Sequence, residues 1–302
     1  MMSSIVCGVD ASQGAKEALR FARELCDRLG LHLVLAHAVP APAAIPSRAG
    51  IQGAARYTAF ASDGALRAGT HLLEELAASE GLDNVRVRCE FGNPGDRIRA
   101  IAREEEAELI VVGSRGRGPW RSAILGSVSL NLASSAPCPV VVTPVDAALP
   151  TEDDALATVV CGVDDSDGAR AALRVAEMLA IWLGARLVLA HVAPLPPVPG
   201  NSAVRLTASD VRRKEIEEGE ELLTKLSALA EVEASVERRV ALGTPGGALA
   251  DIAEEEDAGL VIVGSSGRGA FRSAVLGSVF TELMATSRRR VLVVPPDAAA
   301  DR

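Results

Sequence analysis

Two glycine-rich segments of the chain have the residue types and spacing that hold phosphate groups. Residues 113–116 read GSRG, and the pair GS follows at 126–127 after nine intervening residues. Residues 264–267 read GSSG, and a second GS pair follows at 277–278 with the same spacing. Glycine lets backbone N–H groups approach an anion because it has no Cβ atom. The pattern therefore predicts two phosphate-binding loops.

The glycines of each loop have different predicted uses. Gly113 and Gly264 are expected to let the chain leave a strand at unusual φ/ψ values. Gly116 and Gly267 are expected to let backbone N–H groups reach a phosphate. Arginine side chains beside the loops can pair with outer phosphate oxygens. The candidates for this pairing are Arg117, Arg121, Arg268 and Arg272.

The second part of each motif is expected at the start of a helix. Gly126 and Ser127 stand where one helix is predicted to begin, and Gly277 and Ser278 stand where another begins. A helix N-terminus carries unpaired N–H groups and about half a positive charge, which favours an anion. The serine hydroxyls can donate one further hydrogen bond to it.

An internal duplication places both loops in the same context. Residues 7–25 match residues 161–179 at an offset of 154, and residues 101–114 match 252–265 at an offset of 151. The second copy has therefore lost three residues between about 40 and 92. Similarity over a whole domain length indicates two tandem domains rather than short repeats.

The predicted domains span residues 1–145 and 157–302, with a linker at 146–156 that lacks periodicity. Apolar strand patterns alternate with helical patterns in each domain, which indicates a parallel sheet with helices on both faces. The predicted fold class is α/β, with two tandem doubly wound (Rossmann-like) domains. Such sheets bind ligands at the carboxyl ends of their strands, and each glycine loop follows a predicted fourth strand.

The composition restricts the class of partner. The 302-residue chain has a net charge of −9 and a pI of about 5.1, so nucleic acid and anionic membranes should repel it. No apolar run approaches the ~20 residues of a membrane span, and no targeting peptide is recognisable. Five scattered cysteines without metal-ligand spacing predict reduced, mostly buried thiols. We therefore expect a cytoplasmic protein that binds neither nucleic acid nor membrane.

The glycine motifs resemble the nucleotide motif of the universal stress protein superfamily, G-2x-G-9x-G-(S/T). The matching residues are Gly113, Gly116, Gly126 and Ser127 in the first copy and Gly264, Gly267, Gly277 and Ser278 in the second. The resemblance covers about 3–144 and 157–295 and is to the tandem two-domain type. It implies ATP as the ligand and five parallel strands per domain in the order 3-2-1-4-5. Any Mg²⁺ would be held mainly by phosphate oxygens and water.

The resemblance also implies particular contacts. In the family, an acid at the end of the first strand lies near the adenine. The residue after the histidine of the second strand contacts the base through its backbone, and a glycine of the first strand lines the nucleotide crevice. These residues are Asp10, Ala38 and Gly8 in the first copy and Asp164, Val192 and Gly162 in the second. The remaining predicted contact residues are Ser114, Arg115, Gly118, Val128, Ser265, Ser266, Gly269 and Val279.

The family commonly dimerises through its last strand, so the resemblance implies a homodimer. The candidate association edges are PVVVTP at 139–144 and VLVVPP at 291–296.

Some of these residues also have structural interpretations. Asp10 and Asp164 can cap the helices that follow them. His37 and His191 end the second strand of each copy, and we expect them to pack or to make a supporting hydrogen bond rather than to catalyse.

The motifs leave three functions open. The favoured one is an ATP-binding regulatory protein of the stress response with at most slow hydrolysis and no catalytic residues, since no P-loop lysine or nucleophile elbow is present. The second is a weak ATPase or nucleotidyl-transfer enzyme, for which Ser114, Ser265 and the nearby arginines are available. The third is an interaction module with vestigial pockets, which intact loops in both copies disfavour.

Overall fold

The structure is a computed structural model that describes residues 3–40, 51–114, 125–145, 156–195, 208–228, 236–265, 277–296 and 298. Contacts divide the chain into two compact units, residues 1–132 and 133–302. These units do not test the predicted domain boundaries, which remain a prediction. The units follow the contacts between elements, whereas the predicted boundaries follow the repeated sequence.

The first unit alternates strands and helices. Its elements are β1 (Ser4–Gly8), α1 (Gln13–Leu29), β2 (His32–Val39), α2 (Ile51–Ser79), β3 (Arg86–Phe91), α3 (Pro94–Glu104), β4 (Ala107–Gly113) and the beginning of α4 (Ser127–Ser135). The strands are parallel and lie in the order β3-β2-β1-β4. Helices between parallel strands cover the faces of the sheet, so the central strands β1 and β4 are almost fully buried, whereas the edge strand β3 is polar and only partly buried.

The second unit repeats this arrangement. Its elements are β5 (Val140–Thr143), β6 (Thr158–Gly162), α5 (Asp167–Leu183), β7 (Arg186–Ala193), α6 (Ala208–Ser227), β8 (Glu237–Leu242), α7 (Pro245–Glu255), β9 (Leu260–Gly264), α8 (Ser278–Thr286) and β10 (Arg290–Val294). The strands lie in the order β5-β10-β9-β6-β7-β8, and all pairs are parallel except β5 with β10.

The predicted fold class is confirmed. Strands β8-β7-β6-β9-β10 follow the order 3-2-1-4-5 expected for the second copy, and β3-β2-β1-β4 follow the first four positions of that order. The doubly wound arrangement places the carboxyl ends of the first, second and fourth strands at one edge of each sheet.

The predicted association edge at 291–296 is used inside the chain. Strand β10 pairs in parallel with β9 on one side and antiparallel with β5 on the other, with Val291 opposite Val142. Both edges of β10 are therefore occupied. This pairing leaves no open edge on β10 to which a strand of a second chain could add.

The first helix of each copy has matching end signals. The side chain of Ser12 accepts a hydrogen bond from the N–H of Ala15 at 3.2 Å, and Gly30 ends α1 at φ +66°. In α5, Ser166 accepts from the N–H of Ala169 at 3.2 Å, and Gly184 ends the helix at φ +65°. These helices bury one apolar face on the sheet. In the ranges that the structure describes, no helix combines the length and apolar composition needed to cross a bilayer.

Candidate nucleotide-binding site

A cavity of about 770 Å³ lies at the carboxyl ends of β1, β2 and β4 in the first unit. Among the predicted site residues, those that line it are Gly8, Asp10, Ala38, Gly113, Gly126, Ser127 and Val128. Its volume falls within the range of small-molecule sites, about 300–1,000 Å³. The fold thus brings four separate stretches of sequence to one place, at the edge where open α/β sheets bind ligands.

Gly8 allows α3 to pack closely beside this cavity. A Cβ atom on Gly8 would lie 2.7 Å from Ile98 Cδ1 and 2.9 Å from Val112 Cγ1. Gly162 has the same restriction, because a Cβ there would lie 2.6 Å from Leu249 Cδ1. A larger residue at this strand end would therefore have to displace the side chain of Ile98 in the first copy or of Leu249 in the second.

Gly113 and Gly264 are needed for a different reason from the one predicted. We expected unusual backbone angles, but neither residue lies in the left-handed region. Instead, a Cβ on Gly113 would lie 2.6 Å from the carbonyl carbon of Gly14, and one on Gly264 would lie 2.6 Å from that of Gly168. The glycines let the first turn of α1 or α5 pass directly against the end of the fourth strand.

Each glycine loop is closed by one backbone hydrogen bond. The N–H of Gly126 donates to the carbonyl of Ser114 at 2.7 Å, and the N–H of Gly277 donates to that of Ser265 at 2.8 Å. Ser114 and Ser265 are both buried, and Ser114 is not among the residues that line the cavity. The loop interiors lie outside the described residues. The predicted contacts that fall there are Arg115, Gly116, Arg117, Gly118, Arg121, Ser266, Gly267, Arg268, Gly269 and Arg272.

The helix that follows each loop begins at the predicted residue. Ser127 is the first residue of α4 and lines the cavity with Gly126 and Val128. In the second copy α8 begins at Ser278 after Gly277, and Gly277, as the N-cap residue, has no side chain that could accept from the first N–H groups. Unpaired N–H groups at a helix start favour an anion.

Asp10 borders the cavity but does not cap α1. Its Oδ1 accepts a hydrogen bond from the N–H of Ser12 at 2.9 Å, and Ser12 is the residue that caps the helix. Asp164 accepts from the N–H of Ser166 at 3.0 Å in the same way. The capping interpretation of the two aspartates is therefore wrong, and their carboxylates support the turn that leads into the helix.

The two histidines make the supporting hydrogen bond that we expected. His37 Nδ1 lies 2.8 Å from the carbonyl oxygen of Val9, and His191 Nδ1 lies 2.8 Å from that of Val163. A carbonyl oxygen only accepts, so Nδ1 carries the proton and donates. Each histidine ties the second strand to the residue that follows the first strand.

The second unit carries the matching site residues at matching places. Gly162 ends β6, and Asp164 follows two residues later. Val192 lies in β7, and Gly264 ends β9 and is followed by Ser265. The residues at the start of α8 are Gly277, Ser278 and Val279.

Several residues of the site were missed from the sequence. Ser12, Pro40, Pro94 and Ser129 line the cavity although no motif includes them. Pro94 recurs as Pro245 at the first position of the matching helix, and that recurrence at a helix start could have revealed it. The others are small or apolar residues, which a single sequence does not distinguish from core packing.

Side-chain metal ligands are not gathered at this site. Among the residues that the structure describes, no group of three or more His, Cys, Asp or Glu side chains could hold a metal ion.

Comparison with known proteins finds relatives of both copies. The sequence model of the universal stress protein family matches residues 1–144 and 156–295. A universal stress protein of Mycobacterium tuberculosis (strain ATCC 25618 / H37Rv) is 32% identical over 225 residues, which cover 74% of this chain and 72% of that protein. One of Mycolicibacterium smegmatis is 29% identical over 307 residues and covers 97% of each chain.

Solved structures share the fold. A universal stress protein from Archaeoglobus fulgidus DSM 4304 has a TM-score of 0.62 and 20% identity, covering 97% of this chain and 98% of that one. A protein from Pseudomonas aeruginosa PAO1, described as functionally unknown, has a TM-score of 0.64 and 18% identity, covering 99% and 94%. Identity at this level shows a common fold alone.

Proposed function

The chain belongs to the universal stress protein family, and from that premise we propose that it is an ATP-binding regulator of the stress response with one nucleotide site in each copy. The observation that carries the proposal is the cavity of about 770 Å³ in the first copy. Strand ends and a helix N-terminus converge on it, which is the arrangement that doubly wound folds use for nucleotides.

Two sets of lining residues support the two parts of a nucleotide. Ala36, Ala38, Pro40 and Ile98 give an apolar surface for a purine base, and the helix start at Gly126–Ser127 gives N–H groups for phosphates. A helix N-terminus contributes about 0.3–1 kcal/mol to anion binding, up to ~2 when partly buried. Micromolar affinity corresponds to about 8 kcal/mol, so both sets are needed together.

The predicted roles follow from this placement. We propose that the backbone of Ala38 and the carboxylate of Asp10 face the base, and that the loop glycine Gly116 and the arginines Arg117 and Arg121 meet the phosphates. The second copy would use its matching residues in the same roles. Mg²⁺ fits such a site only as an ion bound to phosphate oxygens and water, which is its usual mode with nucleotides.

The described lining residues favour binding over rapid turnover. The titratable side chains among them are Asp10 and His37. Nδ1 of His37 already donates to Val9, and Oδ1 of Asp10 already accepts from the backbone of Ser12. Fast phosphoryl transfer needs a group that orients the attacking nucleophile. We therefore propose slow hydrolysis at most, with the nucleotide acting on shape or partner binding.

We also propose that the protein acts in the cytoplasm without binding nucleic acid. The supporting observation is the net charge of −9, which opposes association with another polyanion. A homodimer remains part of the proposal, through a surface other than the paired edges of β10.

The first experiment measures the nucleotide carried by the purified protein. The protein is denatured, and the released small molecules are separated and identified by mass. Binding of added ATP with Mg²⁺ is then measured for the native protein and for the Gly116→Val and Gly267→Val variants. Gly64→Ala is the matched control, because Gly64 lies in α2, away from the cavity, and a Cβ there meets nothing within 4 Å.

The outcomes separate the three candidate functions. Bound ATP that is reduced by each loop variant and unchanged in Gly64→Ala supports the proposal. A protein that is empty and does not bind added ATP with Mg²⁺ overturns it and favours the interaction module. Release of ADP from added ATP at about 1 s⁻¹ or faster, the range of phosphoryl-transfer enzymes, favours the enzyme instead.

A further inference from the structure

We propose that the two nucleotide sites are unequal, with the tight site in the first copy and a site at least about tenfold weaker in the second. This inference rests on the proposed function. Two substitutions between the copies carry it: Phe280 stands where the first copy has Ser129, and Glu282 stands where it has Asn131. Both lie on the helix that follows the glycine loop.

The two helices are otherwise held in the same way. The loop closures, Gly126 to Ser114 at 2.7 Å and Gly277 to Ser265 at 2.8 Å, differ by 0.1 Å. A Cβ placed on Gly113 or on Gly264 would meet the backbone of α1 or of α5 at the same distance of 2.6 Å. The helices α4 and α8 are therefore placed alike, and a difference between Ser129 and Phe280 or between Asn131 and Glu282 acts through the side chain rather than through a displaced helix.

The first difference is one of space. Ser129 lines the cavity, and its hydroxyl donates to the carbonyl of Gly113 at 2.8 Å. Phe280 occupies this position of α8 and is 0% exposed. Ser129 is itself only 2% exposed while it lines the cavity, so the difference is one of volume: a phenyl ring takes up space that a serine side chain leaves open. The ring also cannot donate to the carbonyl of Gly264, as the serine hydroxyl does for Gly113.

The second difference is one of charge. The carboxylate of Glu282 accepts a hydrogen bond from the N–H of Gly246 at 3.0 Å and another from the hydroxyl of Thr244, at the start of α7. A negative side chain thus already occupies one of the free N–H groups of that helix N-terminus. Glu282 also lies on α8 only four residues after Ser278, so its charge weakens the positive potential that the start of α8 offers to a phosphate.

The first copy has a neutral amide, Asn131, where the second has Glu282, and the acid in the first turn of α3, Asp96, is paired with Arg99. Asn93 caps α3 by accepting from the N–H of Gly95 at 3.1 Å, and Asn131 packs against Gly95 without adding a charge. Pro94, the first residue of α3, lines the cavity. A carboxylate at this helix start therefore stands beside the site, where it repels the phosphates of a bound nucleotide.

The test measures each site by itself with ATP and Mg²⁺ as the probe. Gly267→Val leaves the first site, and Gly116→Val leaves the second, so titration calorimetry of the two variants gives two separate dissociation constants. We expect the second constant to be at least about tenfold larger, a difference of about 1.4 kcal/mol. The native protein should then bind one nucleotide tightly and a second one weakly.

Charge exchange tests the cause. Asn131→Glu, in the variant that retains the first site, should raise its dissociation constant several-fold at low salt and less at high salt, because ions screen the repulsion. Asn131→Gln is the matched control, of the same size and without the charge. Glu282→Gln should strengthen the second site, since a glutamine can still accept from Gly246. Circular dichroism establishes that each variant is folded.

Different failures have different meanings. Equal dissociation constants in the two single-site variants would overturn the inequality and leave the proposed function standing. A lack of nucleotide binding at both sites would overturn the proposed function itself. If the sites are unequal but Asn131→Glu and Asn131→Gln change the dissociation constant of the first site equally, charge is not the cause. The bulk of Phe280 is then the cause, and Ser129→Phe should weaken the first site.

Discussion

Gly113 lies so close to Gly14 that a Cβ on Gly113 would stand 2.6 Å from the carbonyl carbon and 2.7 Å from the carbonyl oxygen of Gly14. The obstacle is backbone of α1, which cannot rotate aside as a side chain can. Gly113→Ala should therefore lower the free energy of unfolding by about 1–3 kcal/mol, the usual cost of overpacking. Urea denaturation followed by circular dichroism measures the change.

Gly64→Ala provides the comparison for that prediction. Gly64 is exposed in α2, and a Cβ there meets nothing within 4 Å. Alanine should stabilise the helix by up to about 1 kcal/mol. If Gly113→Ala were as stable as the native protein, the close approach of α1 to β4 would be wrong.

Much of the fold was predictable because local patterns determine it. The duplication, the alternation of strands and helices and the glycine motif lie within short stretches of sequence, and the strand order followed from the family resemblance. The pairing of β5 with β10 was not predicted as an intrachain contact. An apolar strand such as Val140–Thr143 has the same pattern whether its partner lies in the same chain or in another one.

The site was predicted less completely, and for particular reasons. Gly113 was recognised, but its close contact with Gly14 depends on a helix 99 residues earlier in the chain, which spacing cannot reveal. Asp10 and Ser12 were both capable of capping α1, and the choice depends on where the helix begins. Ser129 is an ordinary helix residue until the cavity beside it is known.

Glu256 should make the stability of the second copy depend on acid pH. Burial acts to raise the pKa of this carboxyl, but hydrogen bonds from Arg186 and Arg239 outweigh burial and hold the pKa below its ordinary value. A lowered folded-state pKa stabilises the protein above the unfolded pKa of about 4.3, and that stability is lost as the pH falls through the folded value. Glu256→Gln should cost about 1–3 kcal/mol at neutral pH.

The measurement for Glu256 is urea denaturation between about pH 7 and about pH 3. The difference between native protein and Glu256→Gln should shrink below about pH 4, where the native carboxyl is protonated too. Glu237→Gln is the matched control, because Glu237 contacts the same Arg186 at 2.8 Å but is 45% exposed. It should change stability by less than about 1 kcal/mol. A constant difference at all pH values would contradict the ion-pair explanation.

The five thiols should differ in reactivity according to their burial. Burial raises the pKa of Cys26 to about 12 and raises the pKa values of Cys7 and Cys161 as well. Cys89 is only partly buried, so iodoacetamide should label it first in the native protein at mildly alkaline pH. Peptide mass spectrometry of native and urea-unfolded samples measures the rates. Native labelling of Cys7 as fast as Cys89 would show that β1 is more accessible than its burial indicates.

Replacing His37 separates a structural histidine from a catalytic one. His37→Phe keeps an aromatic ring but removes the donor that meets the carbonyl oxygen of Val9 at 2.8 Å. Leaving that carbonyl without its donor should cost about 1–3 kcal/mol of unfolding free energy. Loss of a general base would instead lower any ATP turnover about 10²–10⁴-fold. We expect the loss of stability with turnover changed less than tenfold, and His191→Phe, which breaks the matching bond to Val163, should behave alike. A drop in turnover at unchanged stability would make His37 a catalytic residue and the protein an enzyme.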